Sequence, residues 1–182
     1  MNRTLDATRV RTPVRFAHFV LRATDLEASI SFYRKLIGMK VVYESSLVAF
    51  LTYDDEHHRL ALISTPGADA APPGAAGLDH VAYTFESMEA LLATYLRLKT
   101  EGLLPVWSIN HGPTTSLYYA DPDGNRVELQ IENFSSDAEM ERFIESEVFS
   151  KNPIGVEFDP EQLLARFQAG DPIEDLKKQE EG

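Results

Sequence analysis

Two histidines and one glutamate have the residue types and spacing that metal chemistry needs. His18 and His80 hold equivalent positions in two similar segments offset by 62 residues, and Glu128 sits inside the run Arg126 to Ile131, which alternates as a strand does. A carboxylate in the middle of a strand costs several kcal/mol when buried unless it is paired with or bound to a cation, so Glu128 calls for a partner. Taken singly, each histidine reads as a hydrogen-bonded core residue and Glu128 as half of an ion pair. Their joint occurrence at positions tied by a repeat favours a shared site. Aligning the last strands of the two segments by Arg59 and Arg126 puts Ala61 in the place of Glu128, and alanine binds no metal. The set is therefore two histidines and one carboxylate with open positions, an arrangement suited to non-haem iron(II) that activates oxygen; by ligand softness alone Mn(II), Zn(II) or Ni(II) also fit. The chain has no cysteine, which excludes disulfides and thiolate sites and leaves His and carboxylates as the strong ligands.

The elements that must hold these residues follow from hydrophobic period. Val14 to Arg22 alternates like a strand, and from Asp25 to Leu36 the apolar Leu26, Ile30, Tyr33 and Leu36 recur at helical spacing. Thr24 and Glu27 read as a capping box and Gly38 as the helix stop. The same pattern returns in Leu78 to Phe85 and Ser87 to Leu98. Each helix is followed by extended runs: Met39 to Glu44, Leu47 to Tyr53 and Arg59 to Thr65 first, then Leu104 to Ile109, Thr115 to Ala120 and Arg126 to Ile131. The order is βαβββ twice. The predicted fold class is α+β, with two such modules, 14–65 and 78–132, joined by an Ala/Gly/Pro linker at 66–77 and forming a cupped mixed sheet. One face of each strand suits the helices; the other carries His18, His80 and Glu128 toward a shared concavity. Phe16, Val20 and Val81 are candidates for an apolar surface near it.

Residues 1–13 read as a loose N-terminal arm without the apolar core of a secretory signal. Residues 133–182 form an acidic helical extension, with helices expected near Ser136 to Phe149 and Pro160 to Gln168 and a frayed end from Lys177. It reads as a capping or dimer-contact element, with a lid over the site as the alternative. A net charge of −12 without a Lys/Arg cluster argues against nucleic acid, no apolar run is long enough to cross a bilayer, and the expected location is the cytoplasm. Open sheet edges around a small core point to a homo-oligomer.

At this point the residues resemble a known family. The repeated βαβββ units with His18, His80 and Glu128 are similar to the vicinal oxygen chelate superfamily over about Val14 to Glu132. More narrowly, His111, Leu117-Tyr118, Asp121-Pro122, Gly124 and Glu128 fall at the spacings of the type I extradiol ring-cleavage dioxygenase signature. The His57-His58 pair resembles the His-His pair of those enzymes, and Asn152 to Pro160 followed by Leu163 to Arg166 resembles their compact single-domain members, often labelled biphenyl-2,3-diol dioxygenase class III. The resemblance implies Fe(II), with Mn(II) as an alternative, on His18, His80 and Glu128. It implies His58 as general acid/base, Tyr118 bonded to a substrate oxygen and His111 as a further contact in the same region, with a catechol-type diol and dioxygen as substrates. Larger members have four units where this chain has two, so the pocket must be closed by the extension or by a partner subunit. A glyoxalase-like isomerase needs a fourth protein ligand, which Ala61 does not supply. A fosfomycin-type transferase needs a cationic pocket, and Lys and Arg are sparse on these strands. A metal-free binding protein has no use for the complete His-His-Glu set.

Overall fold

The computed structural model describes residues 8–69, 72 and 75–179. It divides into two compact units, Met1–Gly67 and Ala68–Gly182. No helix among the described residues is long and apolar enough to cross a membrane.

In the first unit β1 (Phe19–Ala23), α1 (Leu26–Ile37), β2 (Lys40–Glu44), β3 (Val48–Thr52) and β4 (Leu60–Ser64) give the βαβββ order read from the sequence. The strands lie in the order β1-β4-β3-β2, with β1 parallel to β4 and the other pairs antiparallel. Helix α1 does not start from a Thr24 capping box. The cap is Asp25, whose carboxylate accepts from the Ala28 amide at 2.9 Å, while the helix stops at Gly38 as expected. Asp outcompetes Thr here because its side chain is already charged and one residue nearer the first turn. The helix buries Ile30, Phe32, Tyr33 and Leu36 against β3 and β4. Facing it, Leu51 and Leu60 are register partners and Ala49 pairs with Leu62, all buried; removal of each leucine side chain from water is worth roughly 2 kcal/mol. The opposite face carries the row Val20, Ala61, Phe50 and Tyr43, one residue per strand.

The second unit repeats the plan with β5 (His80–Thr84), α2 (Met88–Thr100), β6 (Trp107–Asn110), β7 (Thr114–Ala120) and β8 (Arg126–Glu132). Here the row on the open face is Ala82, Glu128, Tyr118 and Trp107. Ala61 and Glu128 therefore do occupy equivalent places, and so do Phe50 and Tyr118. The Asp121 to Asn125 turn between β7 and β8 is closed by Asp121 Oδ1, which accepts from the amides of Asp123 at 3.0 Å and Asn125 at 2.8 Å.

The extension departs from its sequence reading in four ways. The single helix expected over Ser136 to Phe149 is two, α3 (Asp137–Ile144) and α4 (Glu147–Lys151), because Ser146 gives its hydroxyl to the Phe143 carbonyl and caps the second helix at the Phe149 amide. A short strand, β9 (Val156–Glu157), pairs with β6, so the sheet runs β5-β8-β7-β6-β9 and the β6 edge is covered from within the chain. After α5 (Pro160–Ala169) comes a further turn of helix, α6 (Ile173–Leu176). Lys177 and Gln179, expected to fray, bond to Asn110: its amide nitrogen donates to the Lys177 carbonyl at 2.8 Å, and its carbonyl accepts from the Gln179 amide at 2.9 Å. Residues 1–7 of the arm and 180–182 of the tail lie outside the described residues, as do parts of the linker.

Candidate active site

The first unit gathers His18, His57 and His58. His18 precedes β1 by one residue and is exposed, with the neighbouring Phe19 amide donating to the Arg59 carbonyl at 3.1 Å. The strand begins later than the sequence suggested because Arg59, the last residue before β4, is the first that β1 can pair with. The His58 ring lies 4.4 Å from that of His18 and stacks on Phe50 at 4.7 Å and 20°. His57 is largely exposed, and its Nδ1 is 2.6 Å from His58 Nδ1. Burial, then the charges of His18 and His57, hold the His58 imidazole below its ordinary value, with Glu56 opposing. Arg59 is tied to Asp54 at 2.8 Å.

The second unit brings together His80, Glu128, Tyr118 and His111. Glu128 is buried, with its carboxylate 3.1 Å from His80 Nε2 and 3.9 Å from His111 Nε2. Asp79 bonds to His80 Nδ1 at 2.8 Å and receives Arg126 at 2.6 and 2.7 Å. A carboxylate on Nδ1 holds a proton there, so that with a cation between Nε2 and Glu128 the Nε2 nitrogen would present its lone pair, which is the way proteins prepare a histidine ligand. The His80 hydrogen bond and then Arg126 hold the Asp79 carboxyl below its ordinary range. Tyr118, also buried, is pushed well above the usual phenol range by burial first and by the Glu128 carboxylate second, so it stays a neutral donor. Its hydroxyl lies 3.0 Å from His111 Nε2. Trp107 completes the row: its ring centroid is 4.9 Å from that of Tyr118, and its indole N–H donates to Glu157 at 2.7 Å.

Sequence reasoning missed Asp79, Arg126, Trp107 and Phe50. Asp79 was legible as the neighbour of His80, and Trp107 and Phe50 follow from register once Glu128 and Ala61 are aligned. Cations are sparse here but not absent: the Arg126 guanidinium is 5.6 Å from the Tyr118 ring centroid and 5.7 Å from that of Trp107, although Asp79 neutralises it. Among the described residues no group of three or more His, Cys, Asp or Glu side chains is gathered as a metal site. What the second unit does present is a buried carboxylate facing an imidazole nitrogen whose partner nitrogen is already occupied. That pair of donors suits a divalent cation.

Residues 15–129 match the model of the Glyoxalase/Bleomycin resistance protein/Dioxygenase superfamily, and the chain belongs to it. Among its relatives, biphenyl-2,3-diol 1,2-dioxygenase 2 of Rhodococcus globerulus is 45% identical over 88% of this chain and 85% of its own length. Biphenyl-2,3-diol 1,2-dioxygenase 3 of the same organism is 43% identical over 89% of this chain and 86% of its own. In fold the chain is similar to the lactoylglutathione lyase of Agrobacterium tumefaciens, with a TM-score of 0.54 at 24% identity, covering 66% of this chain and 96% of that one.

Proposed function

We infer that this chain is an extradiol ring-cleaving dioxygenase acting on a catechol-type aromatic diol, and we propose that it does so with Fe(II) held by His18, His80 and Glu128. The observation that carries the reading is the buried Glu128 carboxylate against the Nε2 of a histidine whose Nδ1 is bound to Asp79. The similarity to the two biphenyl-2,3-diol 1,2-dioxygenases over nearly nine-tenths of the chain supports it. Iron there supplies the Lewis acidity that favours a diol anion and the one-electron exchange that spin-paired organic molecules need to react with dioxygen.

The chain's own residues do the rest. Tyr118, neutral and buried beside Glu128, brings its hydroxyl oxygen to the diol, where it accepts from a diol O–H while its own proton points to His111. His111, bonded to Tyr118, stands behind it as a second contact. His58 is a neutral imidazole at pH 7 because burial depresses its basicity, so it is fit to take a proton from the diol hydroxyl and return it to the product oxygen. Phe50, stacked on His58, and Trp107, beside Tyr118, are flat apolar surfaces that suit an aromatic ring.

Anaerobic titration with Fe(II), followed by equilibrium dialysis and metal analysis, tests the ligand set. The expected result is one iron per chain in the wild type, and affinity reduced by at least about a hundredfold in each of His18→Ala, His80→Ala and Glu128→Ala, since each removes a metal bond. Wild-type affinity in any of the three removes that residue from the set.

A further inference from the structure

The Asn152 to Glu157 segment belongs to no part of the reaction described so far, yet it lies against the turn that carries His111. Three contacts from the extension bear on this turn. The Phe143 ring occupies the space beside Gly112, where a Cβ would come within 2.1 Å of it. Gly155, at φ +117°, sits so close that a Cβ there would lie 2.3 Å from the Asn110 carbonyl oxygen and 2.7 Å from His111 Cα. Lys177 and Gln179 bond to Asn110 from a third side. The segment itself is held closed by Asn152, whose carbonyl oxygen accepts from the amides of Ile154 at 3.3 Å and Gly155 at 3.1 Å and whose amide donates to the Gly155 carbonyl at 2.6 Å. This seating delivers the Ile154 carbonyl to His111 Nδ1.

We propose that the C-terminal extension is a positioning element for the site: the Ile154 carbonyl fixes His111 with its proton on Nδ1 and so makes Nε2 an acceptor for Tyr118. A carbonyl oxygen only accepts, so Nδ1 must donate, and the neutral ring then presents a lone pair at Nε2. Tyr118 has two acceptors within reach, His111 Nε2 and the Glu128 carboxylate. A hydroxyl spent on Glu128 would occupy an oxygen that the metal needs; the fixed tautomer draws that proton to His111 and leaves the carboxylate free. The inference rests on the proposed metal role of Glu128 for its purpose, although the tautomer itself does not.

Long-range proton–nitrogen NMR of the histidine rings in the full chain, together with Mn(II) affinity, tests this. The expected wild-type His111 is protonated at Nδ1. Gly155→Ala, which drives β9 off the turn, shifts the ring toward the Nε2–H form and lowers Mn(II) affinity by about tenfold, the usual effect of losing an outer partner of a metal site. Asn152→Ala opens the segment without adding an atom and does the same if Gly155→Ala does not fold. Lys151→Ala, an exposed change on the same extension, leaves both readouts unchanged. A wild-type His111 protonated at Nε2, or variants that fold and keep the Nδ1–H form, overturns the proposal. Catechol turnover enters neither ring readout: an inactive wild type with Nδ1–H sinks the dioxygenase reading alone, and an active one with Nε2–H sinks this inference alone.

Discussion

At the scale of single residues, which nitrogen of each histidine is free decides what that ring can hold. For His80, Asp79 bonds to Nδ1 and is itself held by Arg126, so Asp79→Ala lets the ring turn and exchange tautomers. The expected cost is about 10–100-fold in Fe(II) affinity, read by competitive chelator titration, with little change in melting temperature because the Asp79 side chain is 63% exposed. The ligand candidates were legible from residue type and repeat position. The residues that orient them were only partly so: Asp79 adjoins His80 in sequence, whereas Ile154 lies 43 residues from His111 and acts through its backbone carbonyl, which no side-chain pattern announces. His18 was placed inside a strand by alternation, but hydrogen bonding starts at Phe19, since the strand can extend only as far as β4 offers partners.

At the scale of elements, both βαβββ modules were readable, because alternation and helical period report burial on one face; of the helix boundaries, the Gly38 stop was read correctly, whereas the cap fell on Asp25 and not on Thr24. The extension was harder. Strand β9 is two residues long and pairs through backbone groups, below what a period can reveal. The helix that follows it, α5, is tied to α2 by Glu161, which takes Lys99 at 2.7 Å and also the Tyr95 hydroxyl. Lys99 first and Tyr95 second hold the Glu161 carboxyl below its ordinary 4.5. A carboxylate with a lowered folded pKa contributes stability above the unfolded value and loses it as pH falls through the folded one. Protection of the α5 amides, measured against the unstructured-chain rate at each pH, should therefore hold from neutrality down to about pH 4.5 and fall below it, while Glu161→Gln removes that acid dependence. Protection that begins to fall near pH 6 would assign the tie to another group.

At the scale of the whole molecule, composition excluded more than it identified: a net charge of −12 and the lack of cysteine narrow partners and ligands without choosing a reaction. The expected homo-oligomer now leans less on open edges, since β9 covers β6. It rests on the first unit, where β2 ends the sheet and leaves Val42 and Tyr43 about half exposed. Sedimentation equilibrium should give a mass that is a multiple of 20.4 kDa, and Val42→Lys should lower it; a monomer at all concentrations would place the protein among single-chain members of its fold. The central claim, that Glu128 anchors the metal of an extradiol dioxygenase, is tested most directly by oxygen uptake of the Fe(II)-loaded protein on 2,3-dihydroxybiphenyl and catechol. The expected result is one dioxygen consumed per diol with a conjugated, yellow ring-opened product, and neither in Glu128→Ala; bound iron without oxygen uptake on any catechol would contradict the assignment.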